Sequence, residues 1–266
     1  MTMKVLTTLI LLLVCLFGGT NLVFAMNDAE AINISGSQRM LSQRMMKSYL
    51  MIGADIKTDQ AQKQLDDSAG HFEERLAALV DYAPTKEITR RLTRVQNIWY
   101  QHRLRMLSTP SREGIEGFMA ENRDLLKACN DVVVAIAEYA NVPSAELVNI
   151  SGRQRMLSQR IAKAYVAMYW RVDTETAHKE FQQSIALFDE SLQKLSASDI
   201  NTSEVVDALS KVSSQWHFSQ NGFRLEENGR YVPTVIAVTT ESILWKMNDI
   251  TKMYEEIMSD RTLASL

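Results

Sequence analysis

Cysteine is nearly absent: the 266 residues hold two, Cys15 and Cys129. Cys15 falls in an apolar opening stretch, so the rest of the chain has one thiol and no intrachain disulfide, even in an oxidising compartment. Cys129 then reads as a small buried apolar residue. Four prolines and ten glycines are too few turn formers for an all-β fold. Charge of one sign is also missing. A net charge of -3 gives no basic field to hold nucleic acid. The four histidines, His71, His102, His178 and His217, fall on different predicted helices without metal-ligand spacing. No serine, cysteine or carboxylate constellation suggests a nucleophile or an acid–base pair, so no catalytic residue, metal or cofactor is expected and the chain does not read as an enzyme.

What is present is apolar and helical in pattern. Hydrophobic residues make up 46% and charged residues 23%, the profile of a globular, helix-rich chain. Residues 1–25 read as an export signal: Lys4 is the positive region, Val5 to Phe17 the apolar run, and Val23-Phe24-Ala25 the small-residue cleavage site. Cleavage near Met26 would place the protein in the periplasm. The alternative is an uncleaved N-terminal anchor, since Val5 to Met26 approaches the ~20 residues that span a bilayer. Val14 precedes Cys15 where lipidation requires a small residue. No second apolar run reaches spanning length, and nothing resembles a kinase or a cytoplasmic signalling helix. Whatever is sensed must therefore be reported through another molecule.

One phrase occurs twice. Asn33-Ile34-Ser35-Gly36-Ser37-Gln38-Arg39-Met40-Leu41-Ser42-Gln43-Arg44 returns as Asn149-Ile150-Ser151-Gly152-Arg153-Gln154-Arg155-Met156-Leu157-Ser158-Gln159-Arg160, identical at eleven of twelve positions. Such identity signals internal duplication. Apolar residues at helical steps predict helices over 28–52, 58–82, 85–107 and 112–139, then over 144–172, 174–195, 202–227 and 233–259. Trp99 and Trp216 correspond, as do Leu125 to Asp131 and Ile243 to Asp249. The expected architecture is all-α: a signal peptide (1–25), then two tandem up-down four-helix bundles, 26–141 and 142–266. The short joint at Ala140 to Ala145 allows the bundles to lie side by side with the two phrases facing. A continuous helix from 112 to 172 would place them end to end, although Pro143 weighs against it.

At 100° per residue, Gly36, Arg39 and Gln43 share one face of the first helix, while Ile34, Leu41 and Met45 point inward and Arg44 lies far from Arg39. Gly36 inside a helix costs about 1 kcal/mol relative to alanine, so its return as Gly152 marks a close approach of backbone or ligand. Arg39 and Arg155 carry planar donor forks suited to oxyanions. If the glycines let the first helices touch, these arginines converge, and a small planar oxyanion between them relieves their repulsion. The competing reading pairs every arginine with a nearby carboxylate. The basic band on the third helix, Arg90, Arg91, Arg94, Arg103 and Arg105, reads as a solvated face. Trp99, Trp170, Trp216 and Trp245 read as core or seam anchors.

The motif Asn-x-Ser-Gly-x-x-Arg-Met-x-Ser-x-Arg, with Leu125 to Asp131 and Ile243 to Asp249 closing each fourth helix, resembles the signature of the PilJ-type domain. That domain is the periplasmic sensor module of type IV pili chemotaxis transducers and of nitrate/nitrite sensor kinases. The resemblance implies a four-helix bundle and, as in the nitrate sensors, an anion held at a dimer seam by the first arginine of the signature. Those positions are Arg39 and Arg155, adjoined by Gly36 and Gly152, with Gln43 and Gln159 on the same face. Ser42, Arg44, Ser158 and Arg160 are secondary motif positions. Nitrate or nitrite is thus the expected ligand and a membrane sensor kinase or chemoreceptor the expected partner, with a homodimer left open. The rival expectation is a module that docks on a type IV pilus or chemoreceptor component and binds no small molecule.

Overall fold

The computed structural model describes residues 26–224 and 231–264, so the expected signal peptide with Cys15, and residues 225–227 of the expected seventh helix, lie outside them. Among the described residues eight helices follow in order: α1 (Asp28–Gly53), α2 (Thr58–Tyr82), α3 (Lys86–Met106), α4 (Ile115–Ala140), α5 (Pro143–Trp170), α6 (Thr174–Ser196), α7 (Ser203–Phe223) and α8 (Pro233–Ala264). No strand occurs among the described residues.

Local chemistry sets the helix ends. The Asn27 side chain accepts from Glu30 N, Thr85 from Ile88 N and Thr202 from Val205 N, each satisfying a donor that the first turn leaves without a partner. Pro143 opens α5, where its missing N–H costs nothing. Asn141, in the left-handed conformation at φ 48°, ends α4. That break rules out the end-to-end arrangement through one continuous helix.

The two halves lie side by side instead. α1 packs against α2, α4 and α5, and α5 packs against α6 and α8 as well as α1. Gly36 meets Gly152, and Lys47 Nζ reaches Gln159 Oε1, so α1 and α5 run parallel with the repeated phrases in register. These two helices are the centre of the molecule. Both are buried on nearly every side, whereas α3 and α7 bury one stripe each, Ile88-Leu92-Val95-Trp99 and Val205-Leu209-Val212-Trp216.

The duplication persists in three dimensions. Gln38 Nε2 donates to Phe72 O and Gln154 Nε2 to Phe188 O, both at 2.9 Å. Phe72 lies against Trp99 and Phe188 against Trp216. Two expectations fail. Trp245 is 55% exposed rather than an anchor. Ile34 is only partly buried while Arg39 is fully buried, because α5 covers the Arg39 face of α1 and the narrow strip left open falls at Asn33, Ile34 and Arg44.

Candidate functional site

At the seam, the Nη2 atoms of Arg39 and Arg155 both crowd the point where the glycines meet. A β-carbon on Gly36 would lie 3.3 Å from Arg155 Nη2 and 3.4 Å from Arg39 Nη2, with Gly152 Cα at 3.9 Å. The absent side chains are what bring the two helices and both guanidinium groups together. Both arginines are buried, at 0% and 2% exposure.

Their hydrogen bonds are reciprocal. Arg39 Nη1 donates to Asn130 Oδ1 at 3.0 Å and Nη2 to Asn149 O at 3.1 Å. Arg155 Nη1 donates to Asn248 Oδ1 at 3.0 Å and Nη2 to Asn33 O at 3.0 Å. Each arginine thus takes one neutral amide from the fourth helix of its own half and one carbonyl from the opposite first helix. Neither makes an ion pair among the described residues, and both Nε atoms lack a partner. A guanidinium carries five N–H donors, so more than one remains uncommitted on each.

Electrostatics follow from that isolation. Burial, with Arg153 and Arg155 nearby, pulls Arg39 from the ordinary arginine value down to about 9. Burial and Arg75 pull Arg155 down to about 9, against an opposing pull from Glu255. The Glu255 carboxylate accepts from Asn33 Nδ2 rather than from the arginine. A buried cation with no contacting carboxylate costs several kcal/mol, on the order of a few pKa units. Cys129 sits beside Arg39, its thiol pushed up to about 12 by burial.

The remaining phrase residues do other work. Gln43 donates to Asn122 Oδ1, and Gln159 accepts from Lys47 Nζ, so neither glutamine touches the arginines. Ser42 and Ser158 return their hydroxyls to the carbonyls of Arg39 and Arg155 at 2.8 Å. Arg44 pairs with Glu241 on α8, while Arg160 lies 4.0 Å from Glu180 on α6. The third-helix basic band is tied to neighbouring acids, including Arg90 and Arg91 to Glu87 and Arg105 to Glu121. Sequence reasoning did not assign Asn130 and Asn248 a role, although their recurrence in each fourth helix was the available signal. It also passed over Lys47 and Lys163, whose signal was a lysine repeated within an apolar run.

A family model described as "Type IV pili methyl-accepting chemotaxis transducer N-term", PilJ, matches residues 22–116 and 140–221. The chain belongs to the PilJ family. That family is a sensory, periplasmic domain of chemotaxis transducers. The matched segments leave out nearly all of α4 and all of α8, the helices that supply Asn130 and Asn248. No curated protein and no solved structure matched the chain. No helix among the described residues is long and apolar enough to cross a membrane.

Proposed function

We propose that the protein is a periplasmic ligand-binding sensor, exported by a cleaved signal peptide, that takes a small oxyanion, nitrate or nitrite, between Arg39 and Arg155. Its bound state is presented to a membrane sensor kinase or chemoreceptor. The observation that carries this reading is two buried guanidinium groups facing one another over the Gly36–Gly152 contact with only neutral oxygens as partners. Surface arginines are satisfied by water, but these are not in water. A planar anion with three acceptor oxygens, as in nitrate, or two, as in nitrite, matches free N–H donors of the two forks and offsets their repulsion. Because the donors come from different halves of the chain, binding couples α1 to α5, and a change in that coupling is a signal a partner can read.

Calorimetric titration of the purified protein with nitrate and nitrite tests this, repeated with Arg39→Ala plus Arg155→Ala. The expected result is saturable binding that the double substitution abolishes. Undiminished binding in the double variant removes the site. A thermal midpoint indifferent to a panel of small anions returns the protein to the docking reading, since a ligand of the folded state alone must raise it.

A further inference from the structure

Below the seam the two halves stop matching. On the second half, Lys163 Nζ lies 2.7 Å from Glu180 Oε2. Arg160 approaches the same carboxylate at 4.0 Å, and Arg123 of α4 lies 3.7 Å from it and 2.9 Å from Asp173. Three cations meet two carboxylates. The equivalent positions on the first half, by the offset of the repeated phrase and of the fourth helices, are Lys47, Arg44, Gln64, Lys57 and Glu241. Glu241 Oε1 accepts from Arg44, and Oε2 from Lys47 at 2.9 Å. Where the second half has Glu180 and Asp173, the first has Gln64 and Lys57. Two cations here share one carboxylate, with the exposed Lys57 on the rim of the same pocket.

The backbone has kept its shape through this exchange. Lys57 and Asp173 both sit in the left-handed region at φ 45°, and Ser68 and Ser184 each return a hydroxyl to the carbonyl of position 64 or 180. What differs is the side chains and the space. At the first half a cavity of about 120 Å³ opens between α1, α2 and α8, lined by Lys47, Lys57, Gln60, Gln64, Glu241 and Ser242 among others. Lys47 is 1% exposed and spends two of its three N–H donors, on Glu241 and Gln159. Lys57 makes no ion pair and the Gln64 amide no hydrogen bond among the described residues, while both Glu241 oxygens are already engaged.

We infer that this cavity is a second ligand site, separate from the arginine seam, and that it takes a small monocarboxylate. The bound carboxylate occupies the place that the Glu180 carboxylate fills in the other half: against the buried lysine, with the Gln64 amide and the Lys57 ammonium as further donors. A buried ammonium with a spare donor favours an anionic partner, and the cavity holds only a few heavy atoms.

Acetate is the probe. At pH 7 and constant ionic strength, replacing chloride by acetate should raise the thermal midpoint of the purified protein by about 5 °C near saturation. Gln64→Glu supplies the missing carboxylate from the chain itself, and should raise the midpoint without acetate while weakening acetate binding at least about tenfold. Lys57→Asp should weaken it as well, and Lys57→Arg should keep it. Arg39→Ala plus Arg155→Ala should lose nitrate binding yet retain the acetate response, so the seam and the cavity can fail independently. No acetate response in the unmodified protein, or equal acetate affinity in Gln64→Glu, overturns the inference.

Discussion

The arginine seam and the charge clusters below it are both products of one duplication, but the seam has kept its arginine contacts while the clusters have exchanged theirs. At the seam the arginine hydrogen bonds are repeated: Arg39 to Asn130 and Asn149, Arg155 to Asn248 and Asn33. Below it, the carboxylate has changed helices. Lys163 is paired from its own half with Glu180, whereas Lys47 is paired from the other half with Glu241, which it shares with Arg44. The proposed ligand, straddling the seam, would constrain both copies equally, while a buried lysine requires only that some carboxylate reach it. The difference shows which residues are tied to a shared centre and which need only local neutrality.

Removing the carboxylates should break the second kind of contact hardest. Glu180 is 4% exposed and serves Lys163, Arg160 and Arg123, and those cations hold its carboxyl below the usual range against the upward push of burial. Glu180→Gln leaves the lysine buried and unpaired, which typically costs about 3–5 kcal/mol. Glu241→Gln should cost less, because the Glu241 side chain is 15% exposed and water can take over part of its role. Urea denaturation of the two variants measures the gap, and equal losses would show that exposure does not set it.

The sequence made the helices and the seam legible for a physical reason. Apolar spacing reports burial directly, so α2 falls on the predicted residues and the other boundaries differ by a few. The convergence of Arg39 with Arg155 was legible only as a condition: a glycine within a helix announces a close approach of backbone or ligand, and the side-by-side packing of α1 and α5 supplies the backbone. Partners from distant elements left no such mark. Nothing in the phrase itself shows that Arg44 meets Glu241 across 197 residues of chain, or that Lys47 is buried. Trp245 misled for the opposite reason, being apolar yet set on an outer face of α8 with Arg44 over its ring. Periodicity identifies a stripe but not what lies across from it.

Acid should reach the first half before the second. His102 is buried against Trp99 and Phe118, and burial, with Arg105 close by, holds it down to about 4. The equivalent residue in the second half is Ser219, which does not titrate. A depressed histidine binds its proton in the unfolded chain first, so stability is intact above about pH 6.5 and is lost as pH falls from there towards 4. The full window corresponds to about 3 kcal/mol. His102→Gln should flatten that part of the stability profile. An unchanged slope between pH 6.5 and 4 assigns the acid sensitivity elsewhere.

A smaller asymmetry lies at the top of the central pair. Gly53 closes α1 under the indole of Trp170, and a β-carbon there would come within 2.7 Å of Trp170 Cζ2. Tyr169 holds the equivalent position on α5, facing outward. Gly53→Ala should therefore cost about 1–3 kcal/mol through overpacking, since a fixed ring cannot retreat as a flexible side chain can. A Trp170→Leu change made with it should recover part of the loss in the same denaturation measurement, because the two positions share one contact.

The smallest stability change is expected where the functional change is greatest. Gly36→Ala gains about 1 kcal/mol of helix propensity, and its β-carbon's tight contacts are guanidinium ends at 3.3 and 3.4 Å, which can shift by tenths of an ångström, with Gly152 Cα at an ordinary 3.9 Å. Gly152→Ala is tighter, at 3.1 Å from Arg155 Nη2, and a displaced Nη2 gives up its bond to Asn33 O, worth about 1.5–3 kcal/mol for a charged donor. Set against the helix gain, that leaves Gly36→Ala up to about 1 kcal/mol more stable than the parent protein and Gly152→Ala about 0.5–2 kcal/mol less stable. Nitrate affinity has no such compensation: moving one fork relative to the other spoils the geometry that two-sided recognition needs, and Gly152→Ala should lose more of it than Gly36→Ala. Unaltered nitrate affinity in both variants would mean that the glycines serve helix approach alone, and that the symmetry of the seam reflects packing rather than a ligand.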